Sequence, residues 1–142
     1  MQIYIGSDHA GFEMKEFLKK AVSPLGYEVE DKGTFSLDSV DYPDFAHKVA
    51  GAVENNKNSI GILLCGSANG VCITANKHQG IRAALCWMDE IAQLARAHND
   101  ANIICIPARF VDESTALKMV QTFLTTAFEG GRHQRRVEKI SC

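Results

Sequence analysis

Short apolar runs rich in β-branched residues alternate along this chain with longer stretches of helical period. The runs are Gln2–Gly6, Tyr27–Asp31, Ile60–Cys65, Ile81–Cys86 and Asn102–Pro107. Several are apolar on both faces, as strands buried in a parallel sheet are, so five strands are predicted. Between them, Met14, Phe17, Leu18 and Ala21 recur at i, i+3, i+4 and i+7, and Phe45, Val49, Ala52 and Val53 at i, i+4, i+7 and i+8. Both patterns line one face of an amphipathic helix. A third helix is predicted around Ile91–Ala97. A fourth spans Ser114–Phe128, where Ala116, Val120, Phe123 and Ala127 share a face and Asp112 or Ser114 is available as a cap. Ala68–Lys77 is predicted to form a further helix after the third strand.

No linker, low-complexity block or repeat interrupts the alternation, so residues 1–142 read as one domain. Strand and helix in strict succession imply a parallel sheet covered on both faces and joined by right-handed crossovers. The fold class expected is α/β, a three-layer Rossmann-like sandwich with a five-stranded parallel sheet. Ligands of such sheets bind beyond the carboxyl ends of the strands, which is where chemistry is to be sought.

Composition narrows the function. The chain has 142 residues, 46% of them hydrophobic and 23% charged, which excludes disorder. Fifteen Lys and Arg against seventeen Asp and Glu leave a net charge of -2, without the basic excess that nucleic-acid binding needs. No apolar run approaches the roughly 18 residues of a membrane span, and Met1-Gln2-Ile3-Tyr4-Ile5-Gly6 does not read as a secretion signal. A cytoplasmic protein with no membrane or nucleic-acid partner is expected. Cys65, Cys72, Cys86, Cys105 and Cys142 are odd in number and lack C-x-x-C or zinc-ligand spacing, so most are expected to be small core residues.

After the first strand comes Gly6-Ser7-Asp8-His9-Ala10-Gly11, an acid and an imidazole where a helix begins. Asp8 or Ser7 can cap that helix, or Asp8 and His9 can hydrogen-bond a ligand's hydroxyls. After the third strand comes Cys65-Gly66-Ser67-Ala68-Asn69-Gly70, a turn of small residues whose free N–H groups can converge on an anion. Cys65 is either a buried structural cysteine or a base whose pKa the helix N-terminus and a neighbouring cation would lower. A Walker A loop would need Gly-Lys-Ser/Thr, a dinucleotide fingerprint G-x-G-x-x-G, and a cysteine phosphatase an arginine where Val71 stands. None is present. Late in the chain, Arg132 and Arg136 stand at i and i+4, either on a solvated terminal helix or gripping one phosphate. His98, beside Asn99 and Asp100, is a structural histidine or a proton donor suited to neutral pH.

Taken in order, Gly6–Gly11, Asp41-Tyr42-Pro43-Asp44, Cys65-Gly66-Ser67, Ala75-Asn76-Lys77, Gly80-Ile81-Arg82-Ala83-Ala84, His98–Asn102 and Glu129–Gln134 closely resemble the type B ribose-5-phosphate isomerases over essentially the whole chain. That family also includes allose-6-phosphate and galactose-6-phosphate isomerases. The resemblance implies an aldose–ketose isomerase of ribose 5-phosphate acting through an enediolate, or else of a six-carbon aldose 6-phosphate. It implies no metal and no cofactor, and a homodimer or dimer of dimers with sites shared between subunits. Carried over by position, it implies Cys65 as the catalytic base and His98 as the ring-opening acid. Substrate contacts fall on Asp8, His9, Tyr42, Gly66, Ser67, Ala68, Asn69, Gly70, Asn99, Arg132 and Arg136, with His9 and the two arginines around the phosphate. The family loop commonly reads Cys-Gly-Thr-Gly-x-Gly, and this chain departs from it at Ser67 and Ala68. A signalling receiver or flavin module could share the fold, but a receiver needs aspartate where Cys65 closes the third strand.

Overall fold

The third apolar run is the centre of the molecule. As β3 (Ser59–Cys65) it is buried at every position, with Ile60, Ile62 and Leu64 facing one hydrophobic layer and Leu63 and Cys65 the other. A strand that is apolar on both faces needs cover on both, and the helices supply it. The computed structural model describes residues 1–141. In it, β1 (Gln2–Ser7), β2 (Glu28–Asp31), β3, β4 (Ala83–Leu85) and β5 (Ile103–Pro107) form one parallel sheet in the order β2-β1-β3-β5-β4. The chain leaves β1 for β2 on one side and returns to β3 on the other. That reversal makes a crevice at the carboxyl ends of β1 and β3.

The helices are α1 (Phe12–Val22), α2 (Tyr42–Glu54), α3 (Asn69–Ala75), α4 (Asp89–Asn99), α5 (Glu113–Thr125) and α6 (Arg132–Glu138). Met14, Leu18, Ala92, Ala95, Met119 and Phe123 from α1, α4 and α5 close one face of the sheet. Ala46, Val49, Val53 and Val71 from α2 and α3 close the other. Asp112 is the cap of α5, its carboxylate accepting from Thr115 N at 2.7 Å.

Three expectations need correction. The helix predicted over Ser114–Phe128 ends at Thr125, because Thr126 turns extended, and Ala127 is exposed outside it. The helix predicted over Ala68–Lys77 spans Asn69–Ala75, because Ala68 is left-handed and Asn76 caps the far end. The strand predicted at Ile81–Cys86 shrinks to three residues, because Arg82 N and Ala83 N donate to the side chains of Asn102 and Asn76 instead of to a neighbouring strand. Cys65, Cys72, Cys86 and Cys105 are free thiols, and Cys142 lies outside the described residues. No helix among the described residues is long and apolar enough to cross a membrane.

Candidate active site

Two turns meet at the carboxyl end of the sheet. In the first, after β1, Asp8 Oδ1 accepts from Gly11 N at 3.1 Å and Asp8 N donates to Leu64 O at 3.3 Å. Gly11 presses on β3 so closely that a Cβ there would stand 2.8 Å from the main chain of Leu64. Asp8 therefore closes a turn that seats against the end of β3. His9 Nδ1 accepts from Val40 N at 3.2 Å, which fixes the ring and leaves Nε2 uncommitted among the described residues.

In the second turn, Cys65 is buried at the end of β3 and Ala68 stands at φ 63°, ψ 1°, before α3 begins. This left-handed conformation rotates successive amides inward but costs a residue with a Cβ roughly 1–2 kcal/mol. Burial is the largest influence on the Cys65 thiol and pushes its pKa up; the Asp8 carboxylate adds to this, while amides of Val71, Ala68 and Ser67 pull the other way. The net direction is upward. The expected lowering by the helix N-terminus is present but outweighed by desolvation in this chain.

Ser67 Oγ accepts from Asn69 N and Nδ2, at 3.4 and 3.2 Å, holding the outer edge of the loop. Tyr42 begins α2 and lays its ring against Gly70, where a Cβ would meet it at 2.4 Å. Asp8 and the Gly66–Gly70 loop thus adjoin Cys65, Tyr42 packs on Gly70 at the far end of that loop, and His9 follows Asp8 in the first turn. Beside them a cleft of ≈ 410 Å³ is lined by Ser67, Asn69, Leu85, Trp87, Pro107 and Phe110.

The remaining candidates are elsewhere. His98 and Asn99 end α4, which leads into the start of β5, whereas Cys65 pairs with Pro107 at the end of β5. Four residues of strand, roughly 13 Å at about 3.3 Å each, separate those two levels. Around His98 the chain forms a second cluster. Glu129 N donates to Ala97 O at 3.0 Å, drawing the tail onto α4. His98 Nε2 lies 3.5 Å from Glu129 Oε2, and the His98 ring stacks on that of His133 with centroids 4.1 Å apart. Partial desolvation and the positive charges of His98, Arg132 and Arg136 push the His133 pKa down, against the pull of Glu129. Arg132 and Arg136 do share one helix, Arg136 Nη1 donating to Arg132 O at 3.2 Å, and both are exposed. One copy of the chain therefore holds the two groups of candidate residues at opposite ends of its sheet.

Sequence reasoning missed Arg109. It follows β5, its N donates to Gly66 O at 3.1 Å, and its guanidinium covers Gly66, where a Cβ would stand 3.1 Å from Arg109 Nη1. Searching beyond the end of every strand, and not only β1 and β3, would have found it. Glu129 and His133 lie within the Glu129–Gln134 motif, whose sequence alone assigns neither a role.

A doubly wound sheet with a thiol, an amide-lined turn and an arginine at its switch point defines a Rossmann-like protein built to hold a small anionic ligand. The chain belongs to the ribose/galactose isomerase family, whose model matches residues 3–140. It is 48% identical over 139 residues to a probable ribose-5-phosphate isomerase B of Mycoplasma pneumoniae, covering 97% of this chain and 91% of that one. It is 44% identical over 140 residues to ribose-5-phosphate isomerase B of Escherichia coli, covering 99% and 94%. Among solved structures, a ribose 5-phosphate isomerase from Thermotoga maritima superposes with a TM-score of 0.96 at 51% identity, covering 99% of this chain and 97% of that one. The enzyme from Mycoplasma genitalium with bound ribulose-5-phosphate does so with a TM-score of 0.95 at 45% identity, covering 98% and 93%.

Proposed function

We propose that this chain, as a single isomerase domain over residues 1–142, interconverts ribose 5-phosphate and ribulose 5-phosphate. The observation that carries the reading is Cys65 at the switch point, with amides of Ser67, Ala68 and Val71 around its sulfur, in a member of this family. The five-carbon substrate is preferred to a six-carbon one because the relatives that name their sugar name ribose 5-phosphate, and one neighbour was solved with ribulose-5-phosphate.

Aldose–ketose exchange needs an open sugar ring, a proton moved from C2 to C1, and charge held on the enediolate oxygen in between. His98 donates the proton that opens the ring. Cys65, as thiolate, takes the C2 proton and returns it to C1. The loop amides, with Arg109 beside Gly66, face the oxygen on which charge develops; a donor so placed is worth about 3–4 kcal/mol in the transition state. Asp8, Tyr42 and Asn99 contact the hydroxyls, while His9, Arg132 and Arg136 hold the phosphate and with it the reacting carbons. Base, acid and charge stabilisation all come from the chain itself, so the scheme calls for no metal or cofactor.

Because Cys65 and His98 occupy opposite ends of one sheet, the complete site joins the loop end of one copy to the His98 end of another. A homodimer, alone or paired into a tetramer, meets that need. Trp87 and Phe110, 52% and 75% exposed beside the Cys65 loop, give an apolar margin for the second copy to cover. We read the protein as a cytoplasmic enzyme of the pentose phosphate pathway, a compartment in which Cys65 stays reduced.

Steady-state kinetics separate the roles. Cys65→Ala lowers kcat by roughly 10²–10⁴-fold with sugar-phosphate binding retained, whereas Arg136→Ala chiefly raises KM. Near-normal turnover in Cys65→Ala overturns the assignment of the base.

A further inference from the structure

His98, Glu129 and His133 bring two imidazoles and a carboxylate together, with ligand atoms all within 4.8 Å of one another. Their geometry is specific. Both Nε2 atoms face the same carboxylate, His98 at 3.5 Å from Oε2 and His133 at 3.9 Å from Oε1, and the two rings are stacked with 11° between their planes. Two histidines and one glutamate form the ligand set of three-ligand zinc sites, which keep a fourth position open. Imidazole nitrogens select zinc, cobalt, nickel and copper over magnesium and calcium.

We propose that this cluster is an inhibitory site for a zinc-class divalent cation, whose binding ties up the imidazole of His98. The ligands come from two places in the sequence, the end of α4 and the Glu129-x-x-x-His133 turn, and the Glu129 N to Ala97 O bond holds those places together before any metal arrives. In a single copy His98 is 36% and Glu129 57% exposed, and in the proposed two-copy site the cluster lies at the end the sugar phosphate must itself reach, so a small ion has access by the same route. Closing on a metal at about 2.0–2.1 Å per nitrogen requires the stacked rings to tilt toward each other. Arg132 and Arg136 stand close by, and their charge weakens the attraction for a dication relative to a cluster without cations near it. The site is therefore one that a transition metal occupies reversibly, not a structural centre. Once bound, the metal takes the lone pair through which His98 exchanges protons, and the ring-opening step stops.

Binding and inhibition are tested separately, because the second rests on His98 being the ring-opening acid and the first does not. Cobalt(II), added to the full-length protein in metal-free buffer, is expected to give a visible ligand-field band that saturates at one ion per chain. Zinc is expected to displace it, to inhibit isomerisation, and to be reversed by a chelator. Loss of an outer-shell partner alone costs metal sites roughly 10–100-fold. Removing a direct ligand, in Glu129→Gln or separately in His133→Gln, should then raise the zinc concentration for half-inhibition by at least about tenfold and abolish the cobalt band. Circular dichroism checks that each variant is folded, and the two stand in for each other. Absence of a cobalt band in the wild-type chain overturns the site. Undiminished zinc inhibition in both variants overturns it too and points to the Cys65 thiol. Saturation with metal at full activity overturns the inhibitory link while leaving the isomerase reading intact.

Discussion

Lys15 is 0% exposed, and a lysine so buried must have its charge matched inside the protein. Its Nζ lies 2.5 Å from Asp31 Oδ2 and 3.1 Å from Glu16 Oε1, and the same Asp31 oxygen takes Lys19 Nζ at 2.6 Å. Asp31 Oδ1 accepts from Gly33 N at 2.8 Å. That bond matters for the site, because Gly33 and Thr34 clasp Ser7 from both sides, Ser7 N to Gly33 O and Thr34 N to Ser7 O, just before the Asp8 turn. Asp31→Asn keeps the shape and removes the charge. Stranding one member of a buried pair costs about 3–5 kcal/mol, and the remaining Glu16 carboxylate argues for the lower end, about 3 kcal/mol. At about 2–4 °C per kcal/mol for a chain of this size, Tm falls by roughly 6–12 °C. The pH dependence has a definite sign. Burial pushes the Asp31 carboxyl up, but Lys15, Lys19 and the Gly33 amide together hold it below its ordinary value. A depressed carboxyl contributes stability that is present above its unfolded pKa, about 3.9, and is lost as pH falls through the folded value. Urea titrations from neutral to acid pH should show wild type losing this contribution in acid and Asp31→Asn lacking it throughout. Lys15→Met combined with Asp31→Asn should regain most of the loss. A drop below about 1 kcal/mol in Asp31→Asn, or a double variant no better than the single one, refutes the reasoning.

The other expectations concern the site. Gly70→Ala puts a methyl 2.4 Å from the Tyr42 ring, so the ring must leave; KM should rise by about tenfold, the worth of one hydrogen bond, and an unchanged KM would remove Tyr42 from the binding surface. Asp8→Asn retains an oxygen for Gly11 N but removes a charge that raises the Cys65 thiol, so the rising limb of the kcat/KM profile should move to lower pH; a limb that stays put or moves up contradicts the thiolate as base. His98→Asn should slow cyclic ribose 5-phosphate far more than an open-chain analogue, and equal losses would count against ring opening.

The sequence was most legible where burial is most complete. The run at Ile60–Cys65 is apolar on both faces because β3 is covered on both, so the pattern marks it as a buried parallel strand, while its neighbours β1 and β5 appear only in the structure. It failed at β4, which lies at the sheet edge, where the side-chain oxygens of Asn102 and Asn76 compete with a ladder for amide groups and no hydrophobic period records the outcome. It failed at Lys15, whose position on the Met14 and Leu18 side of α1 looks like an interruption until Asp31, sixteen residues on, is brought beneath it. Arg109 was hidden for the same reason, since its contact with Gly66 exists only once β3 and β5 pair.

The separation of Cys65 from His98, by contrast, is legible without coordinates. In a parallel α/β sheet each crossover helix runs back from the carboxyl end of one strand toward the amino end of the next. Cys65 closes a strand, and His98 closes a helix that precedes a strand, so the two must stand at opposite rims of the layer whatever the strand order. No loop shift short of unfolding α4 brings them together, because the intervening level is the hydrogen-bonded length of β5 itself. If Cys65 and His98 act on one sugar, as proposed, two copies of the chain must supply them. The separation follows from topology, whereas the joint action of the two groups on one sugar rests on the likeness to the isomerase family. On the proposed two-copy site, variants that weaken association are expected to lower kcat/KM without touching a residue that contacts substrate, and a dissociated variant that keeps full kcat/KM would refute the shared site.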